Sequence, residues 1–208
     1  MANQKIKDFY TAEGVRTPKY QQGLYLSDKS SPGSVRRYDL VRNIIRGLNN
    51  ESKYPSILEI GCANGLYLGV ARDFGFKSIV GLEISKDKVD NPINGDSDGI
   101  QFIIGDWDNM EFRGFDVILA TEVIEHSEDP QRLINSLFEW GNVIIATLPF
   151  NENIKKDPLD ISKGGIGHLH NFTEESTREL FKDYDITFFK IDDGIIYLIA
   201  RKKEVVDE

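Results

Sequence analysis

The sequence predicts an α/β protein built on a doubly wound, mostly parallel sheet, and three observations support this prediction. Short apolar runs alternate with helical stretches between residues 56 and 146. The first of these runs leads into a glycine-rich turn that opens a helix. The chain then ends in two further apolar runs separated by Asp192-Asp-Gly194, which indicates a hairpin with one terminal strand antiparallel to the rest.

Each element follows from its hydrophobic period. Apolar residues at helical spacing predict an amphipathic helix from Ser34 through Leu48, with Asn49 and Asn50 as its stop. Apolar runs predict strands over residues 56–60, 78–82, 101–104, 115–120, 142–146, 186–191 and 195–200. Helices are predicted over residues 66–74 and 130–140, and residues 86–89 are predicted to start a short helix. A capping box at residues 173–176 predicts another helix through Phe181.

The chain divides into a short front segment and one folded domain. Residues 1–33 mix glycine, proline and tyrosine without a sustained period and indicate an N-terminal cap or lid, whereas residues 34–208 carry the regular pattern. Residues 1–50 have 9 basic and 4 acidic side chains, for a net charge of +5, and residues 51–208 have 16 and 30, for −14. The basic front is either a solvated arm or a lid that offers Arg36, Arg37 or Arg42 to an anionic ligand.

Composition excludes several classes of protein. A hydrophobic content of 40% and a charged content of 28% are those of a soluble globular protein. No apolar run has the roughly 20 residues of a membrane helix, and no signal segment begins the sequence, so a cytoplasmic location is predicted. Cys62 is the single cysteine, which leaves no internal disulfide. The net charge of −9 disfavours a general nucleic-acid binder, and nothing indicates an oligomeric state.

The turn after the first strand has the features of a nucleotide-cofactor site. Gly61 and Gly65 permit a tight turn and a close approach of the backbone to a ligand, at a helix N-terminus. Their G-x-x-x-G spacing differs from the G-x-G-x-x-G of dinucleotide sites. Glu59, at the carboxyl end of the strand, would repel an added anion and suits an ammonium group instead.

Two further carboxylates follow the next two strands. Glu83 is placed to accept hydrogen bonds from ribose hydroxyls, as an acidic residue does about 20 residues past the loop in nucleotide folds. Asp106 can accept from an adenine amino group, and Trp107 can stack on the base. Together with Glu59 they describe an adenosine with a cationic amino-acid tail.

These motifs resemble the class I S-adenosylmethionine-dependent methyltransferases, types 11 and 23 in particular. LEIGCANG resembles the glycine motif, GLEIS the ribose motif, IIGDWDNM the adenine motif and FDVILATEVIEHSEDP the fourth strand with its loop. The resemblance implies a Rossmann-like seven-stranded sheet with one antiparallel C-terminal strand, a methyltransferase domain over residues 34–208, and S-adenosyl-L-methionine as cofactor. The implied cofactor contacts are Glu59, Gly61, Cys62, Ala63, Gly65, Glu83, Ile84, Asp106, Trp107 and Thr121.

The segment EVIEH places two carboxylates and an imidazole directly after the predicted fourth strand. In one helical turn Glu122, Glu125 and His126 would share a face. Ligands of α/β folds bind at this end of the strands, which would place the three side chains beside the transferred methyl group. Two carboxylates and an imidazole suit Mg²⁺, Mn²⁺ or Zn²⁺ if another ligand is present.

A second resemblance supplies that ligand. EVIEH with a later His-x-x-x-Phe-Thr segment is similar to the small-RNA 2′-O-methyltransferases and the ubiquinone-pathway O-methyltransferases, in which a divalent metal activates substrate hydroxyls. His168 matches this position and His170 is a spare. The resemblance implies metal ligation by Glu122, Glu125, His126 and His168. A catalytic role for His126, His168 and Glu122 without metal, or a structural role, stays open.

The predicted function is O-methylation of a small-molecule hydroxyl on a sugar, phenol or quinone-like compound. A metal-dependent RNA 2′-O-methyltransferase and a non-catalytic S-adenosylmethionine-binding partner protein are the alternatives. The loop at residues 149–171 is either a substrate-covering flap or a surface insertion. Cys62 is predicted to pack beside the glycine loop rather than to act as a nucleophile.

Overall fold

The structure is a computed structural model that describes residues 4–5, 32–50, 53–90, 99–154, 156–159 and 167–203. The chain separates into two compact units, residues 1–111 and residues 112–208. The predicted cap at residues 1–33 lies almost entirely outside the described residues, so it stays a prediction.

The first unit is built on three parallel strands. The strands are β1 (Ser56–Ile60), β2 (Ser78–Glu83) and β3 (Ile100–Ile104), and the helices are α1 (Pro32–Leu48), α2 (Leu66–Asp73) and α3 (Lys86–Val89). A 3₁₀ turn, Trp107–Asn109, follows β3. Strand β2 pairs with both β1 and β3, and β1 and β2 are buried along most of their length, as strands of parallel sheets are.

Helix α1 begins and ends on recognisable residues. It starts at Pro32, two residues before the predicted Ser34, because proline is well suited to the first helical position even where the apolar period has not yet begun. The predicted stop at Asn49 is confirmed. The Asn49 side-chain amide donates to the carbonyl oxygen of Phe74 at 3.1 Å, and its Oδ1 accepts from the backbone N–H of Tyr54 at 2.8 Å.

The second unit contains four strands and two helices among its described residues. The strands are β4 (Phe115–Thr121), β5 (Gly141–Pro149), β6 (Asp185–Asp192) and β7 (Ile195–Arg201), and the helices are α4 (Pro130–Trp140) and α5 (Glu174–Leu180). Strands β4 and β5 are parallel, whereas β7 is antiparallel to both β5 and β6. A 3₁₀ turn, Ile124–His126, follows β4.

Two local signals of the second unit are confirmed. Thr173 and Ser176 form the predicted capping box, since each side-chain oxygen accepts from the other residue's backbone N–H. The predicted hairpin turns at Asp193 and Gly194, whose φ angles of 50° and 74° are those of the type I′ turn that joins twisted strands.

Strand β5 is longer than predicted. It was expected to end at Ala146, and Pro149 was expected to begin a loop. Instead Thr147, Leu148 and Pro149 continue the pairing with β7. A proline at the last position of a strand costs little, because the ladder ends there.

The seven strands form one sheet in the order β3-β2-β1-β4-β5-β7-β6. The single reversed strand near the C-terminus is β7. The predicted fold class, a doubly wound and mostly parallel seven-stranded α/β sheet, is confirmed.

Candidate functional site

The glycine loop, residues 61–65, connects β1 to α2 through left-handed backbone conformations. Gly61, Ala63 and Gly65 have φ angles of 65°, 49° and 79°. A left-handed conformation costs a residue with a Cβ about 1–2 kcal/mol, so Ala63 is held there by other contacts. Its N–H donates to Oε2 of Glu83 at 2.9 Å. The loop is therefore fixed against the end of β2 before any ligand binds.

Two glycines are required by close packing around this loop. A Cβ at Gly65 would lie 2.7 Å from Cζ of Phe102, and a Cβ at Gly81 would lie 2.6 Å from both Sγ of Cys62 and Cδ1 of Leu68. Gly81, in the middle of β2, is not among the predicted site residues. The only signal in the sequence was the presence of a glycine inside an apolar strand, because a glycine there often marks the close approach of another segment.

Glu83 is buried and surrounded by donors. Its Oε2 accepts from Ala63, and its Oε1 accepts from the backbone N–H of Ser85 at 2.9 Å and lies 3.5 Å from Nζ of Lys88. The Lys88 side chain is only 7% exposed, so the two form a buried ion pair. The sequence had given no indication of Lys88, which looks like any other lysine of a short surface helix.

The remaining predicted cofactor residues of the first unit lie at strand ends. Glu59 is buried at 2% exposure near the end of β1. Asp106 caps the 3₁₀ turn after β3, where its Oδ1 accepts from the N–H of Asp108 at 3.2 Å, and Trp107 begins that turn half-buried. Ile84 is half-buried directly after β2.

Cys62 behaves as a packing residue. Burial, reinforced by the nearby carboxylates of Glu59 and Glu83, raises the pKa of its thiol well above the ordinary value. The thiol is therefore protonated at neutral pH, and a protonated thiol is a poor nucleophile.

The start of the EVIEH segment departs from the expected helical turn. The 3₁₀ turn covers only Ile124–His126, and Glu122 has a left-handed φ of 54°. Thr147, which is fully buried in β5, holds this residue. The Thr147 hydroxyl accepts from the N–H of Glu122 at 3.1 Å and donates to its Oε1 at 2.9 Å. The carboxylate of Glu122 is therefore directed to Thr147.

Glu125, His126 and His168 form a compact group, which we term the histidine cluster. One ligand atom from each residue lies within 4.8 Å of the other two. Among the described residues, this cluster has an arrangement that could hold a metal ion. Oε1 of Glu125 lies 3.8 Å from Nε2 of His126 and 3.8 Å from Nε2 of His168. Glu125 is fully buried, and the two imidazole rings meet edge to face at 4.7 Å.

The hydrogen bonds at Nδ1 fix the tautomers of His126 and His168. Nδ1 of His126 lies 2.9 Å from the carbonyl oxygen of Gly167, which can only accept, so Nδ1 carries the proton. Nδ1 of His168 contacts Oε2 of Glu152, and a carboxylate likewise accepts. In the neutral state both histidines therefore turn the lone pair of Nε2 toward Glu125.

The segment that carries His168 is attached to the 3₁₀ turn. The Leu169 N–H donates to the carbonyl oxygen of Glu125 at 2.8 Å, and Nε2 of His170 donates to the carbonyl oxygen of Ser127 at 2.7 Å. Together with the contact between His126 and Gly167, these bonds hold residues 167–170 along residues 125–127. His170 thus acts as a structural anchor.

Three of the four predicted metal ligands lie together, and the fourth, Glu122, is bonded to Thr147 instead. Thr121, predicted as a cofactor contact, ends β4 half-buried.

The guanidinium of Arg42, one of the arginines that a lid could offer to an anion, lies over the ring of Phe74 at 5.2 Å, within the first unit. Glu152 was missed, although a carboxylate soon after a strand is the same signal that identified Glu83.

The family is given by comparison with known proteins. The model of a methyltransferase domain family matches residues 33–188, which is well over half of the chain. No curated protein sequence matches it.

Solved structures share the fold at low sequence identity. Magnesium protoporphyrin IX methyltransferase from Synechocystis PCC 6803, with bound S-adenosylmethionine, has a TM-score of 0.70 and 14% identity, covering 98% of each chain. The plantazolicin methyltransferase, in complex with a monoazolic desmethylPZN analogue and S-adenosylhomocysteine, has a TM-score of 0.68 and 15% identity, covering 98% of this chain and 97% of its own. A methyltransferase from Mesorhizobium loti has a TM-score of 0.62 and 15% identity, covering 77% of this chain and 96% of its own.

A search of the described helices finds none with the length and apolar character to cross a membrane. The methyltransferase prediction is confirmed by the match over residues 33–188, and the fold is that of the methyltransferases above. The chain therefore belongs to the methyltransferase domain family and is an S-adenosylmethionine-dependent methyltransferase of class I.

Proposed function

We propose that this methyltransferase acts on a hydroxyl oxygen of a small-molecule acceptor and that the histidine cluster activates this hydroxyl. The observation that carries the proposal is the convergence of three acceptor atoms, from Glu125, His126 and His168, within 4.8 Å. A hydroxyl is a weak nucleophile until its proton is removed or its oxygen is polarised. The acceptor atoms of the partly buried cluster can remove this proton, or can hold a cation that polarises the oxygen.

The residues that would hold the cofactor belong to the first unit, and their chemistry fits an adenosine with a charged tail. S-adenosylmethionine supplies an electrophilic methyl group on a sulfonium centre. Glu83 offers the remaining lone pairs of its carboxylate to ribose hydroxyls. Glu59 suits the ammonium group, and Asp106 with Trp107 suits the adenine. The glycine loop has no side chain at Gly61 or Gly65 to obstruct the ligand.

The histidine cluster fits a divalent cation better than a single general base. Three acceptors that face one another repel unless a positive charge lies between them. Ligands about 2.1 Å from a tetrahedral ion lie about 3.4 Å apart. The two spacings of 3.8 Å between Glu125 and the histidines, and the limit of 4.8 Å on all three pairs, need only side-chain rotations to reach that value. Two imidazole nitrogens favour Zn²⁺ or Mn²⁺ over Mg²⁺, which prefers oxygen.

The ion and the chain have separate roles in this proposal. A cation bound there supplies Lewis acidity, which lowers the pKa of a nearby hydroxyl. Glu125 contributes a compensating charge, and His126 and His168 contribute neutral nitrogens in fixed tautomers. Glu122, predicted as a further ligand, would first have to leave the hydroxyl of Thr147.

A small-molecule acceptor is favoured over RNA by charge. Residues 51–208 carry a net charge of −14, and phosphate binding needs basic side chains. Two of the structural relatives are named for magnesium protoporphyrin IX and for plantazolicin, neither of which is a nucleic acid. A non-catalytic partner protein would have no use for a cluster suited to activating a hydroxyl.

A metal titration tests the histidine cluster. We expect wild-type protein to bind one Zn²⁺ or Mn²⁺ by calorimetry, and His168→Ala to bind it at least about 100-fold more weakly, because a ligand is lost rather than one of its supporting contacts. The control is Glu174→Gln, on the surface of α5, where Glu174 pairs with Arg178 and contacts no member of the cluster. Equal affinity in wild type and His168→Ala would exclude His168 as a ligand.

An acceptor screen tests the reaction itself. The protein is incubated with S-adenosylmethionine labelled in its methyl group and with panels of phenols, sugars, quinols and short RNAs. We expect the label on an oxygen of a small molecule, identified by mass spectrometry and NMR. Label found only on nitrogen, or only in RNA, would contradict the proposal.

A further inference from the structure

Glu152 lies three residues after β5, directly after two residues whose backbone N–H groups are hydrogen-bonded. The N–H of Phe150 donates to the carbonyl oxygen of Gly194 at 2.8 Å, and the N–H of Asn151 donates to that of Phe172 at 2.9 Å. Asn151 takes a left-handed φ of 52°, which turns the chain at this point. The position of Glu152 is thus set by the hairpin turn and by the residue before the α5 cap.

The side chain of Glu152 contacts the imidazole of His168 on the ring edge that faces away from the cluster. Oε2 of Glu152 is hydrogen-bonded to Nδ1, whereas Nε2 of the same ring lies 3.8 Å from Oε1 of Glu125. His168 therefore lies between two carboxylates. Its 14% exposure leaves little room for another orientation of the ring.

The two histidines of the cluster are held by acceptors of different charge. His126 donates to the neutral carbonyl of Gly167, and His168 to the ionised side chain of Glu152. A charged hydrogen bond is roughly twice as strong as a neutral one. A carboxylate behind a histidine also makes the ring a better electron donor toward a bound cation.

We propose that Glu152 is a positioning residue, which holds His168 as the Nδ1–H tautomer with Nε2 directed at the cation site beside Glu125. The inference rests on the proposed function, because it assigns Glu152 to the same cluster. It predicts that the chemistry of His168 depends on a residue that itself binds neither ion nor acceptor.

Nitrogen NMR of the three histidines tests the tautomers without any ion. In wild type at a pH where the rings are neutral, we expect Nε2 to carry the lone pair in His126 and His168 and the proton in His170. In Glu152→Ala, His168 should become a mixture of tautomers, while His126 and His170 serve as internal controls. A wild-type His168 protonated at Nε2, or an unchanged His168 in the variant, would overturn the inference.

Ion titration separates the hydrogen bond from the charge. We expect Glu152→Ala to weaken Zn²⁺ or Mn²⁺ binding by about 10–100-fold. Glu152→Gln, whose amide oxygen can still accept from Nδ1, should retain the tautomer and show a smaller loss. The control Glu174→Gln removes a charge from the surface of α5, where Glu174 pairs with Arg178, and should bind like wild type.

The possible failures are distinguishable. Wild-type protein that binds no ion but has the expected tautomers would overturn the cation site of the proposed function and leave the positioning role supported. Wild-type binding with full affinity in Glu152→Ala and Glu152→Gln would overturn the positioning role alone. Unchanged affinity for S-adenosylhomocysteine in each variant serves as the control for folding.

Discussion

The glycine loop and the histidine cluster each contain an almost fully buried carboxylate, and the two carboxylates have neighbours of different kinds. Glu83 accepts two backbone N–H groups and lies beside the ammonium of Lys88. Glu125 lies 3.8 Å from two histidine nitrogens that are acceptors when the rings are neutral. A buried charge costs several kcal/mol unless its surroundings compensate for it.

This difference indicates what each region is suited to bind. Around Glu83 the protein itself supplies the compensating donors, so the carboxylate is ready to accept from neutral groups such as ribose hydroxyls. In the cluster, the contacts with His126 and His168 become favourable when a proton or a cation is shared among them. The first region is thus suited to a nucleoside and the second to positive charge.

The largest expected effect is that of Glu83→Ala. It leaves Lys88 as a buried ammonium without its carboxylate, which typically costs about 3–5 kcal/mol of unfolding free energy. Urea unfolding measures the loss, and calorimetry should show S-adenosylhomocysteine binding severely weakened. Adding Lys88→Met should recover part of the stability but none of the affinity. Wild-type stability in Glu83→Ala would show that the ion pair does not compensate the charge.

The comparison is tested most directly by Glu125→Gln. We expect Zn²⁺ or Mn²⁺ affinity to fall at least about 100-fold, or about 2.7 kcal/mol. Without ions, the unfolding free energy should change by less than about 1 kcal/mol, because the new amide can donate to a histidine nitrogen. A destabilisation as large as that of Glu83→Ala would show that both carboxylates are compensated in the same way.

The parts of the fold that could be predicted from sequence are those with local signals. The apolar runs, the Thr173 capping box and the Asp193-Gly194 turn each depend on neighbouring residues, and all were found in place. The end of β5 was missed because its last residues are specified by pairing with β7, some fifty positions later in the chain. Local patterns contain no information about such a partner.

In the candidate site, too, neighbouring residues could be grouped from the sequence, whereas contacts between distant residues could not. Glu125 and His126 are adjacent and were grouped correctly, whereas His168 was joined to them only by resemblance to known families. The direction of Glu122 depends on Thr147, and that of His168 on Glu152, both distant in sequence. Lys88 was not identifiable, because burial of a lysine depends on the strand end it packs against.

A smaller effect is expected at the edge of the cluster, for Thr147→Val. The change removes a buried hydroxyl that bonds Glu122 twice, so the unfolding free energy should fall by about 1 kcal/mol. Thr147→Ser keeps the hydroxyl but loses a buried methyl group, so it serves as the control for ion affinity rather than for stability. Ion affinity should change by less than the roughly 10-fold typical of supporting residues, because the cluster needs no oxygen from Glu122. A clear rise would identify Glu122 as a ligand released from Thr147.

The smallest expected effect concerns Cys62, beside the carboxylates of the first region. Because burial, with Glu59 and Glu83, raises the pKa of its thiol, the folded protein keeps a proton that the unfolded chain loses. The contribution of this thiol to the free energy of unfolding is fully present below the unfolded thiol pKa of about 8.5. It is lost progressively as the pH rises above that value. We expect urea unfolding to show a loss of about 0.7 kcal/mol between pH 8 and pH 9 in wild type relative to Cys62→Ala. Parallel pH courses for the two proteins would show that the donors around Glu83 also stabilise a thiolate there.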